Sequence, residues 1–248
     1  MRLLLVRHGQ SEGNASGIVQ GHRDFDLTDI GRMQAEATAE RLRGEKVDRI
    51  IASPLKRAFS TAVVIAAPHA LEVEPVPDLM EYDLGAVSGL TGAQIRERYP
   101  EIGQAYARGV RPVFPGEEGR DVFAARVREV LDDWAESRKT VVAVAHGGVI
   151  TAVCYAVAGI DPKRPGLFEI ANCAITEVVL DRAGRGGLPP ATTTPATSRA
   201  SSRASIGAKA SSKRTIPGDT AEERADGCAD RFGVPRGATG RARGLARR

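Results

Sequence analysis

Short apolar segments alternate with helical patterns along this chain, and that alternation leaves few folds open to it. The segments Arg2–Val6, Arg49–Ala52 and Thr140–Ala145 are short and largely apolar, and a helical pattern follows each of them. Strands joined by helices pair in parallel, and a nearly continuous apolar strand such as Thr140–Ala145 is buried on both faces of its sheet. The sequence therefore predicts an α/β fold, a three-layer α/β/α sandwich with a mostly parallel central sheet.

The remaining elements follow from the spacing of apolar residues and from capping signals. The expected helices are Leu27–Arg43, Pro54–Ala67, Gly92–Arg98, Ile102–Arg108, Arg120–Arg138 and Gly148–Ala158, with extended segments at Leu71–Pro75 and Ala174–Leu180. In the first helix, the stripe predicted to face the core consists of Ile30, Met33, Ala37 and Leu42. Ser53 is the candidate N-cap of the second helix. The two short helices and the Gly-rich loop before them are expected to form an insertion over the core.

Charge and composition divide the chain near residue 182. Residues 183–248 hold 13 Lys+Arg and 5 Asp+Glu, a net charge of +8, whereas residues 1–182 hold 22 and 26, a net charge of −4. The basic part consists largely of Ala, Ser, Thr, Gly, Pro and Arg, and its few large apolar residues cannot offset the loss of chain entropy on folding. We therefore expect one folded domain over residues 1–182 and a disordered, basic, low-complexity tail over residues 183–248.

Several classes of protein are disfavoured by the sequence. It contains no run of 18 apolar residues and no signal peptide, so we expect a cytoplasmic protein with no membrane partner. The three cysteines, Cys154, Cys173 and Cys228, occur singly, which argues against a disulfide framework or a structural zinc site. Neither an HExxH motif nor a carboxylate cluster is present, and we expect no metal and no other cofactor.

Cationic side chains follow three of the predicted strands, where each strand ends. Arg7 and His8 follow the first strand, Ser53 and then Arg57 come after the second, and His146 follows Thr140–Ala145. Parallel strands bring their carboxyl ends to one edge of the sheet, where α/β proteins bind ligands. Two imidazoles and two guanidiniums would repel one another unless a multiply charged anion lay between them, and a phosphate fits that requirement.

A histidine beside a bound phosphate can act as a nucleophile. Neutral imidazole attacks phosphorus and forms a phosphohistidine, which divides one difficult transfer into two easier steps. Neighbouring guanidiniums disfavour protonation of the imidazole and neutralise charge on the equatorial oxygens. The leaving alkoxide needs a proton, for which Glu81 in LMEYDLGAVSGL is the first candidate and Asp83 the second.

Four groups of residues, taken together, carry the strongest functional signal. They are LVRHGQSEGN with QGHRDFDLTDIGRMQA, then SPLKRAFSTA, LMEYDLGAVSGLTG and VAHGGVI. Over roughly Met1–Asp181 they resemble the histidine phosphatases, the phosphoglycerate mutase-like superfamily, in motif and in order. The resemblance implies a phosphoglycerate mutase-like fold, with His8 as the phosphorylated nucleophile and Glu81 as the proton donor. It also implies a phosphate pocket lined by Arg7, Asn14, Gln20, Gly21, Arg57, His146 and Gly147.

The resemblance favours a phosphatase over a mutase. Mutases of the family carry a longer basic and aromatic segment after the acid and usually have HGN at the second histidine, whereas this chain has HGG and 34 residues from Glu81 to Pro115. We therefore expect a metal-independent histidine acid-type phosphatase, a phosphoric monoester hydrolase whose partner is a small phosphorylated metabolite. The alternatives are a phosphoglycerate mutase and a non-catalytic module that binds a phospho-ligand, or nucleic acid through the basic tail.

The substrate and other partners are less constrained. The tail has one aromatic residue, Phe232, which leaves little for base stacking, so nucleic acid is not the expected partner. Contacts to the leaving group are expected within Val87–Glu118, at the end of which PGEEG at Pro115–Gly119 replaces the PGGES often found in phosphatase relatives. We expect His22 and His69 to be satisfied polar residues without a catalytic role. A homodimer is compatible with the sequence.

The start of the tail suggests how it arose. Relatives often finish shortly after the last strand with a segment such as RYNDTCHL, which this chain lacks. If that segment were encoded CGC TAC AAC GAC ACC TGC CAC CTC and followed by G, reading from its second base would give Ala-Thr-Thr-Thr-Pro-Ala-Thr-Ser. That is the order found at Ala191–Ser198. We therefore hypothesise that the chain past about Gly184 is a frameshifted reading of its gene.

Overall fold

The computed structural model describes residues 1–135, 139–164 and 168–179. Within these ranges the strands are β1 (Arg2–Arg7), β2 (Arg49–Ala52), β3 (Val73–Pro75), β4 (Thr140–Ala145) and β5 (Ile175–Val179). The helices are α1 (Glu12–Ala15), α2 (Asp29–Leu42), α3 (Lys56–Ala66), α4 (Gly92–Arg98), α5 (Pro100–Ala107), α6 (Arg120–Ala135) and α7 (Gly147–Ala158). The predicted basic tail, its predicted disorder and the segment assigned to a frameshift all lie outside the described residues.

The five strands form one sheet in the order β3-β2-β4-β1-β5. The pairs β1–β4, β2–β4 and β2–β3 are parallel, and β5 runs antiparallel to β1. In this register Arg7 lies beside Ala145, and Ala52 lies beside Val144. The carboxyl ends of β1, β2 and β4 are therefore level, so the residues that follow these strands share one edge of the sheet. The mostly parallel sheet predicted from the sequence is confirmed.

Each face of the sheet carries its own apolar core, because successive side chains of a strand point to opposite faces. Leu3 and Leu5 of β1 belong to a cluster completed by α6 and α7, whereas Leu4 and Val6 belong to a cluster completed by α2 and α3. Helices thus cover both faces, and the prediction of a three-layer sandwich is confirmed. Among the described residues, no helix is long and apolar enough to cross a membrane.

A third, smaller apolar cluster lies in the segment between β3 and α6. It consists of Val87, Ile95, Ile102 and Phe114, with α4 and α5 as its framework. The predicted insertion is therefore a packed unit with its own buried side chains. The loop that carries Glu81 joins β3 to this unit along the chain.

The apolar stripe predicted for α2 is wrong for three of its four residues. Ile30 and Met33 are 56% and 67% exposed, and Ala37 is also exposed. The buried positions are Gly31, Ala35, Thr38, Ala39 and Leu42. The physical reason is close packing: a Cβ on Gly31 would lie 2.0 Å from the carbonyl oxygen of Gln10, so only small residues let α2 approach this near.

Ser53 does not cap α3 as predicted. The N-cap residue is Leu55, and the main-chain nitrogen of Lys56, the first residue of the helix, donates to the carboxylate of Asp24 at 2.7 Å. Ser53 is fully buried directly after β2, and its hydroxyl is turned towards the edge of the sheet where β4 ends. The observed position of Ser53 therefore places a polar side chain in the candidate site.

Candidate active site

The two imidazoles that follow β1 and β4 lie against each other. The ring centroids of His8 and His146 are 5.1 Å apart, with the ring planes at 59°. The two residues are 3% and 0% exposed. Their approach follows from the sheet order, since β1 and β4 are neighbours whose last residues are paired.

The hydrogen bonds of His8 determine which ring nitrogen is available. Its Nδ1 lies 2.7 Å from the carbonyl oxygen of Gly9. A carbonyl only accepts hydrogen bonds, so Nδ1 carries the proton and Nε2 of the neutral ring keeps its lone pair. Burial, Arg57 and Arg7 together hold the pKa of His8 well below its usual value. The imidazole is therefore neutral and nucleophilic at neutral pH.

His146 is held through its other nitrogen. Its Nε2 lies 2.8 Å from the hydroxyl oxygen of Ser53, a buried residue at the end of β2. In the described part of the chain, Nδ1 of His146 is buried and has no hydrogen-bond partner. Burial, the neighbouring His8 and the two guanidiniums of Arg57 and Arg7 hold the pKa of His146 well below its usual value.

Arg57 is the largest fully buried side chain described, 1% exposed. Its two terminal nitrogens donate to the carbonyl oxygens of Arg23 and Gly21, each at 2.9 Å. Among the described residues, its Nε is buried without a partner. Burial lowers the pKa of Arg57, and the charges of Glu81 and Asp24 oppose that effect. A buried guanidinium and a buried imidazole that both retain an unsatisfied nitrogen fit a site that binds an anion.

Arg7 approaches the same place from the end of β1. Its guanidinium donates to the carbonyl oxygen of Ile170. Gly147, the first residue of α7, lies next to this side chain, because a Cβ there would be 3.9 Å from Nε of Arg7. The first residues of α7 thus direct main-chain N–H groups towards the edge that holds Arg7, an arrangement suited to phosphate oxygens.

Glu81 reaches this edge, whereas Asp83 does not. The carboxylate of Glu81 accepts hydrogen bonds from the main-chain nitrogens of Tyr82 at 2.9 Å and Gly148 at 3.3 Å. Gly148 is two residues after His146, so the carboxylate lies at the start of the helix that follows the second histidine, and its charge acts on Arg57. The carboxylate of Asp83 instead accepts from the main chain of Gly85 at 2.9 Å. The geometry favours Glu81, the first of the two candidates.

Asn14 and Gln20 are joined to the site through other polar side chains. The amide oxygen of Asn14 accepts from Ser11 and, at 3.3 Å, from Asn172. Asn172 also donates to the main-chain oxygen of His8 at 2.9 Å. Gln20 accepts from the hydroxyl of Ser11 at 2.8 Å. These residues form one network around the loop that follows β1.

Sequence reasoning missed two residues that hold this site together, Thr61 and Asn172, and placed a third, Ser53, at the end of its strand without a role in the site. Ser53 bonds His146. Thr61 accepts from the main chain of Gly9 at 3.0 Å and donates to the main chain of Arg57 at 2.7 Å. Asn172 is far from His8 in sequence, and no local pattern marks it. Over the described ranges, no group of three or more His, Cys, Asp or Glu side chains could hold a metal ion.

Comparison with known proteins identifies the family to which this chain is similar. The model of the histidine phosphatase superfamily (branch 1) matches residues 3–186. The chain belongs to this superfamily. Phosphoserine phosphatase 1 of Hydrogenobacter thermophilus is 33% identical over 184 residues, 73% of this chain and 87% of that protein. Glucosyl-3-phosphoglycerate phosphatase of Mycobacterium tuberculosis is 34% identical over 188 residues, 71% of this chain and 84% of that protein.

The fold of this histidine phosphatase superfamily member agrees with solved structures. The mycobacterial glucosyl-3-phosphoglycerate phosphatase in complex with VO3 superposes with a TM-score of 0.66 at 30% identity. The match covers 79% of this chain and 97% of that one. The predicted phosphoglycerate mutase-like fold and the predicted family are both confirmed.

Proposed function

We propose that this chain hydrolyses small phosphorylated metabolites in two steps, through a phosphohistidine at His8. The observation that carries the proposal is the state of the His8 ring. Its Nδ1–H donates a hydrogen bond to the carbonyl oxygen of Gly9, so the lone pair of Nε2 is available beside His146. A neutral, buried imidazole next to two guanidiniums is arranged to attack a bound phosphate.

In the first step, Nε2 of His8 attacks phosphorus, and the bond from phosphorus to the ester oxygen breaks. Arg7, Arg57 and His146 bind the equatorial oxygens, where the charge of the two guanidiniums and the hydrogen bonds of all three side chains stabilise the transition state. The side chain of Glu81, protonated for this step, gives its proton to the departing alkoxide. The products of the step are an alcohol and a phosphorylated His8.

In the second step, the ionised Glu81 takes a proton from water, whose oxygen attacks the phosphorus. The N–P bond breaks, inorganic phosphate forms and the imidazole of His8 regains its lone pair. Glu81 is protonated again, ready for the next turnover. One carboxyl group serves both steps because it gains in the second the proton that it loses in the first.

The chain is a phosphoric monoester hydrolase, consistent with its superfamily and with the phosphatases that it resembles. Those relatives are named for phosphoserine and for glucosyl-3-phosphoglycerate, small phosphomonoesters that contain a carboxylate. We propose phosphoserine and phosphorylated glycerate derivatives as the first substrates to examine.

The product distribution tests this proposal. The purified chain is incubated with phosphoserine, with 3-phosphoglycerate plus bisphosphoglycerate, and with a wider panel of phosphomonoesters. Release of inorganic phosphate supports the hydrolase, whereas formation of 2-phosphoglycerate supports the mutase. H8A is expected to lose several powers of ten in kcat, as follows removal of a covalent nucleophile. Full activity of H8A contradicts the mechanism, and the absence of any turnover by the unaltered chain favours a non-catalytic module.

A further inference from the structure

The main-chain carbonyl of Glu81 is held by two side chains from distant parts of the chain. Nε2 of His22 lies 2.6 Å from this oxygen, and a terminal nitrogen of Arg126 lies 3.1 Å from it. The carbonyl oxygen only accepts, so both side chains donate, and the proton of a neutral His22 is on Nε2. The residue that carries the carboxyl group is therefore fixed by its backbone as well as by its side chain.

Arg126 supports a longer stretch of this segment. It donates to the carbonyl oxygens of Asp78 at 2.7 Å and Met80 at 2.9 Å, and it pairs with Glu118 at 2.9 Å. Four hydrogen-bonded partners make Arg126 a structural anchor of the segment that leads to Glu81. Loss of Arg126 would disturb this whole segment, so its replacement cannot isolate the effect on the acid.

His22 makes a narrower connection. It belongs to the three-residue turn Gly21–Arg23, whose first and last carbonyls accept the two hydrogen bonds from the buried Arg57. The middle residue of the same turn donates to Glu81. Its other ring nitrogen lies 3.8 Å from the carboxylate of Asp83. One turn thus contacts both the phosphate-binding guanidinium and the residue proposed as the acid.

We infer that His22 is a positioning residue for Glu81, and the inference rests on the proposed function of Glu81 as general acid. The imidazole fixes the distance between the acid and the guanidinium of Arg57, so the carboxyl group meets the leaving oxygen when phosphate is bound. Proximity of this kind affects rates strongly, because a displacement of about 1 Å can cost about 100-fold.

The dependence of rate on the leaving group isolates this role. An alkyl phosphate needs a proton at its leaving oxygen, whereas p-nitrophenyl phosphate releases a stable phenolate that needs none. H22M removes the donor and keeps a side chain of similar length. We expect kcat/KM for phosphoserine to fall roughly tenfold to 100-fold in H22M, with a change of less than about threefold for p-nitrophenyl phosphate. H22Q is the conservative variant, because its amide nitrogen is as many bonds from Cβ as Nε2 of histidine, and it is expected to restore most of the activity towards phosphoserine.

Three outcomes of this experiment are informative in different ways. E81Q is measured in parallel and is expected to show the same selective loss, to a greater degree. If E81Q is selective and H22M is not, the role of His22 is overturned while the proposed function stands. If E81Q lowers kcat/KM equally for both substrates, the assignment of the acid fails, and the inference about His22 fails with it. H22F, which keeps a ring without a donor, replaces H22M if that variant does not fold.

Discussion

A single methyl group at Gly148 is expected to displace the acid without disturbing the fold. A Cβ at this position would lie 2.2 Å from Oε1 of Glu81, whereas ordinary contacts begin at 3.4 Å. The carboxylate must therefore move by about 1.2 Å in G148A. It is the end of a flexible side chain and can do so, since the nearest atom outside Glu81, in the ring of Phe123, is at an ordinary 3.5 Å.

The expected cost of G148A is catalytic. A displacement of about 1 Å lowers the rate of an oriented reaction by about 100-fold, so we expect a loss of that order in kcat/KM for phosphoserine. Alanine is favoured over glycine within a helix by about 0.5–1 kcal/mol, so the melting temperature should be unchanged or slightly raised. Steady-state kinetics and thermal unfolding measure the two quantities on the same sample.

Alanine substitutions at two other glycines serve as controls for G148A. A Cβ on Gly147 would lie 3.9 Å from Nε of Arg7, so G147A is expected to lose less than about tenfold in kcat/KM, because no atom has to move. Gly103 lies in α5, away from the site, and its Cβ would be 3.9 Å from Arg96, so G103A should retain full activity. Activity of G148A equal to that of G147A would refute the placement of the Glu81 carboxylate on which this reasoning depends.

Three further predictions follow from the chemistry and from the gene. Because the folded chain keeps His8 and His146 neutral, the unfolded chain binds more protons below about pH 6.5, and the free energy of unfolding should decrease as pH falls from there, by at most about 1.4 kcal/mol per pH unit for each histidine. Denaturant titrations at pH 7 and pH 5 measure this change. A decrease in the free energy of unfolding that is as large in H8N as in the unaltered chain would contradict the prediction. Phosphate release should continue at an unchanged rate in EDTA, because Arg7 and Arg57 carry the positive charge of the proposed mechanism, and loss of activity that a divalent metal restores would contradict this. Independent sequencing of the gene should reveal a one-base shift before the codon for Ala191, whereas an uninterrupted frame would rule out the frameshift.

The sheet and its functional edge could be predicted from the sequence because both depend on local patterns. Apolar runs and the helices between them define parallel strands, and parallel strands end at the same edge. His8 and His146 each directly follow such a run, so their approach to 5.1 Å follows from the topology. Arg57 was predictable in a similar way, because it lies in the first turn of the helix that follows β2.

The features that sequence reasoning missed depend on packing and on long-range contacts. Hydropathy predicts Ile30 and Met33 to be core residues, but the close approach of Gly31 to the main chain of Gln10 decides which face of α2 is buried. His22 is separated from Glu81 by 59 positions, and no spacing rule links them. Such contacts depend on how loops fold back over the sheet, which local periodicity does not encode.

The most direct test of the mechanism is to identify the atom that is phosphorylated during turnover. The chain is quenched under alkaline conditions during hydrolysis of phosphoserine, and the labelled peptide is analysed by mass spectrometry and by phosphorus NMR. The mechanism predicts a phosphoryl group on Nε2 of His8, since Nδ1 is occupied by its hydrogen bond to Gly9, and predicts no label in H8N. Phosphorylation of Nδ1, labelling of another residue, or turnover by H8N at the rate of the unaltered chain would contradict it.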